Sequence, residues 1–355
     1  MNRICIVTRD LSSGGAERVI SNLANYLVGK GKSIFILTLF GDHQFYQLHP
    51  DIEVISFSKE KSKAGKYIKA RNSVNELQPD IVLAMPEEVG IYLTLTMIGS
   101  KVPVIISERN NPSVMPSNKM TRILRYVSYS LVKGIIFQTS QAMEFFPNYV
   151  RKKGEIILNP IDIESLPDLH EKEREKVIVS VGRLEPQKNF SVLLEAFSKL
   201  VKEYPEYRLV IYGEGSLRGE LEKQISELFR DPDLVSLPGR VSNPPENIKD
   251  ASMFVLSSDY EGLPNALIES MAMGLPVIST DCPSGGPREL IENEQNGILV
   301  PVNDSNELHR AMKKIIESSQ FSEDLGKNAL CVRKQLDPTL IYNQWHQYLE
   351  KFVAE

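Results

Sequence analysis

Short apolar runs alternate with helical stretches along the first part of the chain. The run "RICIVT" at 3–8 leads into a glycine turn, and the stretch after it places Val19, Leu23 and Leu27 on one face of a helix. The same order of strand and helix continues as far as "GIIFQTS" at 134–140. Strands separated by helices of about 10–15 residues predict a parallel sheet with helices on both faces.

The pattern starts again after a charged segment, "SLPDLHEKEREK" at 165–176, which has no apolar periodicity. At 177–189, "VIVSVGRLEPQKN" repeats the order of strand, glycine turn and helix. The predicted fold class is therefore α/β, with two doubly wound parallel-sheet domains. The expected divisions are a first domain at 1–165, a linker at 166–176, a second domain at 177–337, and a last helix at 338–355 that packs back on the first domain.

Length and charge are consistent with a two-domain protein. The chain has 355 residues, of which 42% are hydrophobic, enough for two complete cores. Up to Lys153 there are 20 Lys and Arg against 12 Asp and Glu, whereas the remainder has 21 against 34. This asymmetry indicates that one part faces an anionic surface or polymer, although two unequally charged solvated surfaces explain the counts equally well.

Cysteine use and hydropathy predict the compartment. Cys5, Cys282 and Cys331 have neither disulfide nor metal-ligand spacing, which predicts a reducing compartment and no structural zinc. The first residues, "MNRICIVTRD", lead directly into a predicted strand, so we expect no signal peptide, and the sequence has no uninterrupted apolar run of about 18 residues. We therefore expect a cytosolic protein without a membrane span.

The stretch "SSDYEGLPNALIESMAMG" at 257–274 is the strongest candidate for a ligand site. A strand-like run leads into a loop carrying Glu261, and Pro264 suits the start of a helix that carries Glu269. Free N–H groups at a helix N-terminus favour phosphate, and carboxylates accept hydrogen bonds from hydroxyls, so the stretch suits a nucleotide-sugar. The alternative is an ordinary strand-to-helix connection with two solvated glutamates.

Two glycine turns also lie at the ends of predicted strands, where ligands bind in open parallel sheets. In "VGRLEPQKN", Arg183 and Lys188 are placed to clamp a diphosphate and stabilise a departing nucleotide, although a solvated basic loop is equally compatible. In "LSSGGAER", Gly14 and Gly15 permit close backbone approach by an anionic ligand.

A third glycine pattern, "IYGEGSLRG" at 211–219, invites comparison with dinucleotide-binding proteins. That fingerprint requires an acidic residue at the end of the next strand, but the next strand ends in Pro238 and Gly239. The pattern therefore argues against a dehydrogenase.

The turn "ISERNNP" places Glu108, Arg109 and Asn110 at the end of another predicted strand. Glu108 could orient or deprotonate a hydroxyl, and the alternative is a neighbouring Glu108–Arg109 pair that closes a loop. None of the five histidines belongs to such a turn, so none is a candidate.

Two basic tracts are candidates for contact with a membrane. The first covers 59–71, and the second is a helix with Lys119, Arg122 and Arg125 beside Met120, Ile123, Leu124 and Val127. A helix with basic and apolar faces can lie on an anionic membrane, but it can also turn its apolar side to the core. Nucleic acid is not an expected partner, because the second half is acidic and has no recognised reading motif.

Together these motifs resemble those of retaining family-4 glycosyltransferases of the GT-B fold, and the resemblance covers almost the whole chain. The motifs in order are "SSGGAER", "VGRLEPQKN", "GEG", "LPG", "YEGLPNALIESMAMGLPVIST", "GGPRELI" and "NGILVP". The resemblance implies two Rossmann-like domains facing a cleft, an acceptor-binding one first and a nucleotide-sugar-binding one second.

The resemblance also implies roles for individual residues. Glu261 is placed near the donor sugar and Glu269 on the donor ribose, while Arg183 and Lys188 bind the diphosphate. The predicted catalytic set is Glu261, Arg183 and Lys188 from the resemblance, together with Glu108 from the end of its predicted strand. The remaining donor-binding positions are Gly15, Gly182, Arg240, Val241, Gly262, Leu263 and Asn265. The acceptor or membrane positions are Gly14 from the resemblance, Arg109 and Asn110 from the strand-end turn, and Lys119, Arg122 and Arg125 from the basic helix.

The chain departs from many relatives in the first domain, where "SERNN" replaces a turn with a site histidine. The mechanism proposed for retaining members needs little from that histidine, because the leaving diphosphate itself takes the acceptor proton. Positioning and electrostatic stabilisation then remain as the protein's contribution. No cofactor and no metal are expected, since the nucleotide-sugar is a substrate.

Within the family, "SGGAER" and "SERNNP" look most like bacterial enzymes acting on polyprenyl-diphosphate-linked oligosaccharides. The expected reaction is transfer, with retention, of a hexose or N-acetylhexosamine from a UDP-linked donor to a lipid-linked saccharide in surface-glycan or glycoprotein assembly. The expected location is the inner face of the cytoplasmic membrane. The alternatives are a GT-B enzyme with a soluble acceptor, a nucleotide-sugar 2-epimerase and a non-catalytic nucleotide-binding subunit.

Overall fold

A computed structural model describes residues 1–12, 14–170 and 173–353. It divides into two compact units, the first made of Met1–Pro160 with Pro338–Glu355 and the second of Ile161–Asp337. Each unit contains one parallel sheet, which confirms the predicted fold class.

Unit 1 is built on a seven-stranded sheet in the order β3-β2-β1-β4-β5-β6-β7, with every neighbouring pair parallel. Its strands and helices are β1 (Arg3–Thr8), α1 (Gly15–Gly29), β2 (Ser33–Thr38), β3 (Glu53–Ser56), α2 (Lys63–Leu77), β4 (Ile81–Ala84), α3 (Glu87–Thr96), β5 (Val104–Glu108), α4 (Lys119–Leu131), β6 (Gly134–Phe137), α5 (Ser140–Glu144), α6 (Asn148–Arg151) and β7 (Gly154–Ile156). The strands β4, β5 and β6 are buried throughout, as expected of strands covered on both faces.

Unit 2 has a six-stranded parallel sheet in the order β10-β9-β8-β11-β12-β13. Its strands and helices are β8 (Glu175–Val181), α7 (Phe190–Leu200), β9 (Arg208–Tyr212), α8 (Arg218–Leu228), β10 (Val235–Gly239), α9 (Pro244–Ile248), β11 (Ala251–Leu256), α10 (Asn265–Ala272), β12 (Val277–Thr280), α11 (Gly286–Leu290), β13 (Ile298–Val300), α12 (Ser305–Glu317), α13 (Ser319–Ala329) and α14 (Val332–Gln335). In both sheets the strand order reverses beside the first strand, which places a topological switch point at the carboxyl ends of β1 and β8.

The last helix, α15 (Pro338–Glu350), belongs to unit 1. It buries Ile341, Trp345 and Leu349, three residues of the apolar stripe seen in the sequence. Phe352, the fourth residue of the stripe, is half-buried and packs its ring on Tyr348, with 5.1 Å between ring centroids.

The end of the predicted linker is already part of unit 2's sheet. Glu175 and Lys176 are the first residues of β8, and Arg174 donates to the carbonyls of Ala251 (3.2 Å) and Gly274 (2.8 Å). The first two residues of β8 are charged and exposed to solvent. The apolar pattern typical of a buried strand is therefore absent at this end of β8, which is why the sequence places it in the linker. The residues at 171 and 172 lie outside the described part of the chain.

Candidate active site

The loops after β8 and β11 are held together at the carboxyl edge of unit 2's sheet. These strands are neighbours, and the loops that follow them exchange backbone and side-chain hydrogen bonds. The Asp259 N–H donates to the Gln187 carbonyl (2.8 Å), and the Ser257 hydroxyl donates to the Lys188 carbonyl (2.9 Å). The Gln187 amide donates to the Tyr260 carbonyl (2.9 Å). The two loops therefore form one surface.

On this surface, Lys188 and Glu261 form an ion pair. The distance from Lys188 Nζ to Glu261 Oε1 is 2.5 Å, and the two side chains are only 15% and 8% exposed. The Ser258 hydroxyl also donates to Oε1 (2.6 Å), whereas Oε2 receives only a long contact of 3.4 Å from Gln187. A solvated Glu261, the alternative left open by the sequence, does not agree with this burial.

The pairing itself was not predicted. The sequence predicts a diphosphate contact for Lys188 and a donor-sugar contact for Glu261, but it does not predict that these two residues pair with each other. The property that could have indicated this contact is the order of the strands in the sheet, since residues that follow adjacent parallel strands lie at one edge of the sheet.

Arg183, the other cation of the β8 loop, is exposed to solvent. The loop is tied to the loop after β9 through Glu185, which accepts hydrogen bonds from the Ser216 N–H (2.9 Å) and hydroxyl (2.8 Å). These hydrogen bonds lower the pKa of Glu185 below its usual value. The β8 loop thus presents one solvent-facing guanidinium and one ammonium that is already paired.

The glycines of the "GEG" motif allow the β8 and β9 loops to touch. A Cβ atom on Gly213 would lie 1.8 Å from the Gly182 carbonyl oxygen, and one on Gly215 would lie 2.4 Å from the Leu184 carbonyl oxygen. Gly213 also has a φ of 154°, which side-chain-bearing residues rarely adopt. The motif therefore has a packing role in this fold.

The other predicted donor-binding residues lie at the same edge of unit 2. Leu263 is buried in the loop before α10, Asn265 is the first residue of α10, and Glu269 is half-buried within it. The loop after β12 braces this segment, because a Cβ atom on Gly286 would lie 1.7 Å from the Gly262 carbonyl oxygen. After β10, Arg240 is exposed and Val241 half-buried. Their contacts with a donor stay predictions.

In unit 1 the glycine pair begins α1. Gly14 precedes the helix with an extended backbone (φ −165°), and Gly15 is its first residue. The Gly14 carbonyl accepts a hydrogen bond from the Tyr46 hydroxyl (3.1 Å). A Cβ atom on Gly14 would lie 2.1 Å from a carboxylate oxygen of Glu17, a flexible side chain that can move aside, so the backbone at Gly14 does not itself require glycine.

Glu108 lies inside unit 1, and this corrects its prediction as a residue that touches a hydroxyl of the substrate. Its side chain is 1% exposed, and Oε2 accepts a hydrogen bond from Tyr129 (2.6 Å). Burial, reinforced by the nearby carboxylate of Glu87, raises the pKa of Glu108 well above its usual value. Glu108 is therefore a buried acid at the end of β5 that holds Tyr129.

Arg109 and Asn110 are positioned by Glu87, a residue that sequence reasoning missed. The Asn110 amide donates to Glu87 Oε1 (2.7 Å), and the Arg109 N–H donates to Oε2 (3.4 Å). The Arg109 guanidinium donates to Asn159, and burial lowers the pKa of Arg109 to about 10. Glu87 comes shortly after the end of β4, and Glu108 is the last residue of β5. Because the carboxyl ends of neighbouring parallel strands lie at one edge of the sheet, the position of Glu87 after its strand could have identified it.

Helix α4 turns its polar face inward and its apolar face outward. Its buried residues are Thr121, Arg125, Ser128 and Tyr129. Its exposed aliphatic residues are Met120, Ile123, Val127 and Leu131, and the aromatic Tyr126 is exposed as well. The alternative in which the apolar side packs on the core therefore holds only for Leu124, which is half-buried.

Two of the three basic residues predicted for a membrane surface serve another purpose. Arg125 is buried and donates to the carbonyls of Pro112 (2.9 Å) and Met115 (2.8 Å). Arg122 donates to the Pro116 carbonyl (2.6 Å). Both arginines satisfy carbonyl groups of the segment before α4, and the burial of Arg125 corrects its prediction as a membrane contact. Arg122 is half-buried and Lys119 is exposed, and their predicted roles stay predictions.

Within the described ranges, no helix is both long and apolar enough to cross a membrane. In the same part of the chain, no group of three or more His, Cys, Asp and Glu residues is placed to hold a metal ion.

Comparison with known proteins identifies the family. Residues 13–165 match "Glycosyltransferase Family 4" and residues 162–330 match "Glycosyl transferases group 1". The chain is 30% identical to a Campylobacter jejuni α-1,4-N-acetyl-D-galactosaminyltransferase named for GalNAc-α-(1→4)-GalNAc-α-(1→3)-diNAcBac-PP-undecaprenol, over 100% of this chain and 99% of that one. It is also 30% identical to the N-acetylgalactosamine-N,N'-diacetylbacillosaminyl-diphospho-undecaprenol 4-α-N-acetylgalactosaminyltransferase of C. jejuni, over 98% of this chain and 100% of the relative.

Solved structures show the same fold. HepE of Anabaena in complex with UDP superposes with a TM-score of 0.82 at 17% identity, covering 99% of this chain and all of that one. Sucrose-phosphate synthase of Thermosynechococcus elongatus superposes with a TM-score of 0.86 at 18% identity, with full coverage of both. The chain therefore belongs to the retaining family-4 glycosyltransferases of the GT-B fold, enzymes that use nucleotide-sugar donors.

Proposed function

We propose that this enzyme transfers an N-acetylhexosamine or hexose, with retention, from a UDP-linked donor to a saccharide carried on a polyprenyl diphosphate. The observation that carries the proposal is the Lys188–Glu261 pair at the carboxyl edge of unit 2's sheet. The two C. jejuni relatives, both named for undecaprenol-linked substrates, support the acceptor class, and the UDP complex of HepE supports the nucleotide.

Glu261 is suited to hold a donor-sugar hydroxyl through one oxygen. Oε1 is occupied by Lys188 and Ser258, so Oε2 keeps most of its capacity to accept a hydrogen bond. A carboxylate fixed in this way orients the sugar without having to reorganise during the reaction. Glu269, in the helix that follows, is proposed to hold the ribose.

Lys188 and Arg183 are proposed to stabilise the leaving nucleoside diphosphate. As the bond between the anomeric carbon and the diphosphate oxygen breaks, negative charge grows on the diphosphate. The acceptor oxygen forms its bond on the same face of the sugar, and its proton passes to the departing diphosphate. Cations placed where this charge develops lower the barrier, and this is the protein's main chemical contribution in the scheme.

The enzyme is also proposed to bind the inner face of the cytoplasmic membrane through α4. A helix usually buries its apolar face, but here Met120, Ile123, Val127 and Leu131 are exposed on its outer side. Lys119 and Lys133 flank this apolar surface and are exposed. Each basic residue near an anionic surface adds about 1 kcal/mol of attraction, so α4 combines both requirements for peripheral binding.

Product analysis tests the proposed reaction. The enzyme is incubated with a panel of UDP-sugars and a short-chain prenyl-diphosphate-linked GalNAc disaccharide, with the free disaccharide as a parallel acceptor. We expect an α-linked product on the prenyl-diphosphate acceptor, and none from a Glu261→Gln variant. Equal use of the free disaccharide would indicate a soluble acceptor, and donor conversion without acceptor an epimerase. Donor binding without turnover would indicate a non-catalytic subunit.

The membrane proposal predicts that an Ile123→Asp/Val127→Asp variant loses most of its binding to anionic phospholipid vesicles. Each substitution removes an apolar side chain worth about 1.5–3 kcal/mol on burial and adds a charge of the wrong sign. Co-sedimentation measures the loss, and far-UV circular dichroism checks the fold. Ile98→Asp is the matched control, because Ile98 is equally exposed in unit 1 but lies outside α4. Equal vesicle binding by the unsubstituted enzyme, the Ile123→Asp/Val127→Asp variant and the Ile98→Asp control would contradict the proposal.

A further inference from the structure

An exposed phenylalanine stands beside the glycine turn of unit 1. Phe45 lies on the segment after β2 and is 59% exposed. A single exposed apolar residue is ordinary on a protein surface and needs no explanation by itself. The position of Phe45 and the way its loop is held distinguish it.

The backbone around Phe45 is fixed to the segment after β1. Leu11 and Gln44 form a parallel β-bridge, and the Phe45 N–H donates to the Leu11 carbonyl (2.9 Å). The Tyr46 hydroxyl donates to the Gly14 carbonyl (3.1 Å). Phe45 is therefore anchored at the carboxyl ends of β1 and β2, the edge of the sheet where ligands bind in this fold class.

The orientation of the ring is also set by its neighbour. Phe45 and Tyr46 pack edge to face, with 5.1 Å between centroids and 79° between ring planes. Asp42 and His43, on the same loop, are exposed polar groups. An open aromatic ring beside hydrogen-bonding side chains matches the surface of a sugar, which has an apolar C–H face and a rim of hydroxyls.

We propose that Phe45 contacts the acceptor saccharide and contributes to acceptor specificity by stacking on one of its sugar rings. This inference rests on the proposed function, because it assumes a saccharide acceptor. A membrane contact is disfavoured by charge: residues 41–51 include Asp42 and Asp51 and contain neither Lys nor Arg. An anionic lipid surface would repel this loop, whereas a neutral saccharide would not.

Steady-state kinetics on the free GalNAc disaccharide and on its prenyl-diphosphate-linked form test the role of Phe45. Phe45→Ala should raise KM for both acceptors by roughly three- to tenfold, the range expected for one aromatic contact. KM for the UDP-sugar should not change, and Phe45→Tyr should restore the acceptor KM. Ile98→Ala, which removes an equally exposed side chain elsewhere in unit 1, should match the unsubstituted enzyme. An unchanged acceptor KM in Phe45→Ala would overturn the proposal.

A binding measurement makes the test independent of turnover. The chain has one tryptophan, Trp345, which is fully buried, so Phe45→Trp adds a single exposed indole. Addition of the disaccharide should shift the emission of this indole, and no shift at millimolar disaccharide would count against the proposal. If anionic vesicles without saccharide gave the shift instead, Phe45 would be a lipid contact and the proposal would fail. If the unsubstituted enzyme transferred no sugar to either acceptor, that result would instead count against the proposed function.

Discussion

Lys188→Met is expected to reduce kcat/KM for transfer by about a hundredfold to a thousandfold, the usual effect of removing a group that stabilises developing charge. The same change should lower the free energy of unfolding by about 3 kcal/mol, because it leaves Glu261 as a buried carboxylate without its cation. Steady-state kinetics and denaturant unfolding measure the two effects. A catalytic role alone predicts only the first effect, and a structural role alone predicts mainly the second.

A double substitution separates the two roles of Lys188. Adding Glu261→Gln to Lys188→Met removes the uncompensated charge, so most of the lost stability should return while transfer stays low. Lys176→Met is the matched control, since Lys176 pairs with Glu206 in the same unit at 3.2 Å but both side chains are largely exposed. This control should change neither stability nor activity appreciably. If the control and Lys188→Met behaved alike, the pair would have no special function.

Gly213→Ala is expected to displace the β8 loop and to weaken donor binding at least tenfold. The new Cβ atom would lie 1.8 Å from the Gly182 carbonyl oxygen, a distance that only backbone movement can relieve. The φ of 154° adds strain of about 1–3 kcal/mol for any residue with a side chain. Because Gly182 directly precedes Arg183, the movement should shift a predicted diphosphate contact. Isothermal titration with UDP and thermal unfolding measure the effects.

Gly219→Ala provides the comparison for this prediction. Gly219 is in α8 of the same unit, and nothing lies within 4 Å of a Cβ atom built on it. Alanine is the better helix former, so this variant should be as stable as the unsubstituted protein or more stable by up to about 1 kcal/mol. Equal stability and equal UDP affinity of the two alanine variants would refute the close approach of the β8 and β9 loops.

The sequence was sufficient to predict the fold class because the signals for a parallel sheet are local. Each strand is a short apolar run, each is followed by a helical period, and glycine turns mark where one becomes the other. The candidate residues at the strand ends could be found in the same way. Their contacts could not, because the Lys188–Glu261 pair joins positions 73 residues apart and depends on which strands are neighbours.

Burial of polar residues was the second property that local patterns did not reveal. Glu108 looked accessible because charged residues are rarely buried, but Tyr129 provides a partner for it inside unit 1. In α4 the amphipathic pattern was visible, yet a pattern of two faces does not say which of them is buried. The face that carries Arg125 is the buried one, because the Arg125 guanidinium donates hydrogen bonds to the carbonyls of Pro112 and Met115.

The chain enters unit 1 first and returns to it last. Unit 2 is one continuous segment, 161–337, and α15 is made only after it. Until then the Tyr348 hydroxyl is missing from its bonds with the Ile135 N–H (2.9 Å) and the Lys153 carbonyl (2.6 Å), and Trp345 is missing from the core. On the ribosome, where domains generally complete in order of synthesis, the unit that begins this chain is therefore the last to receive all of its parts.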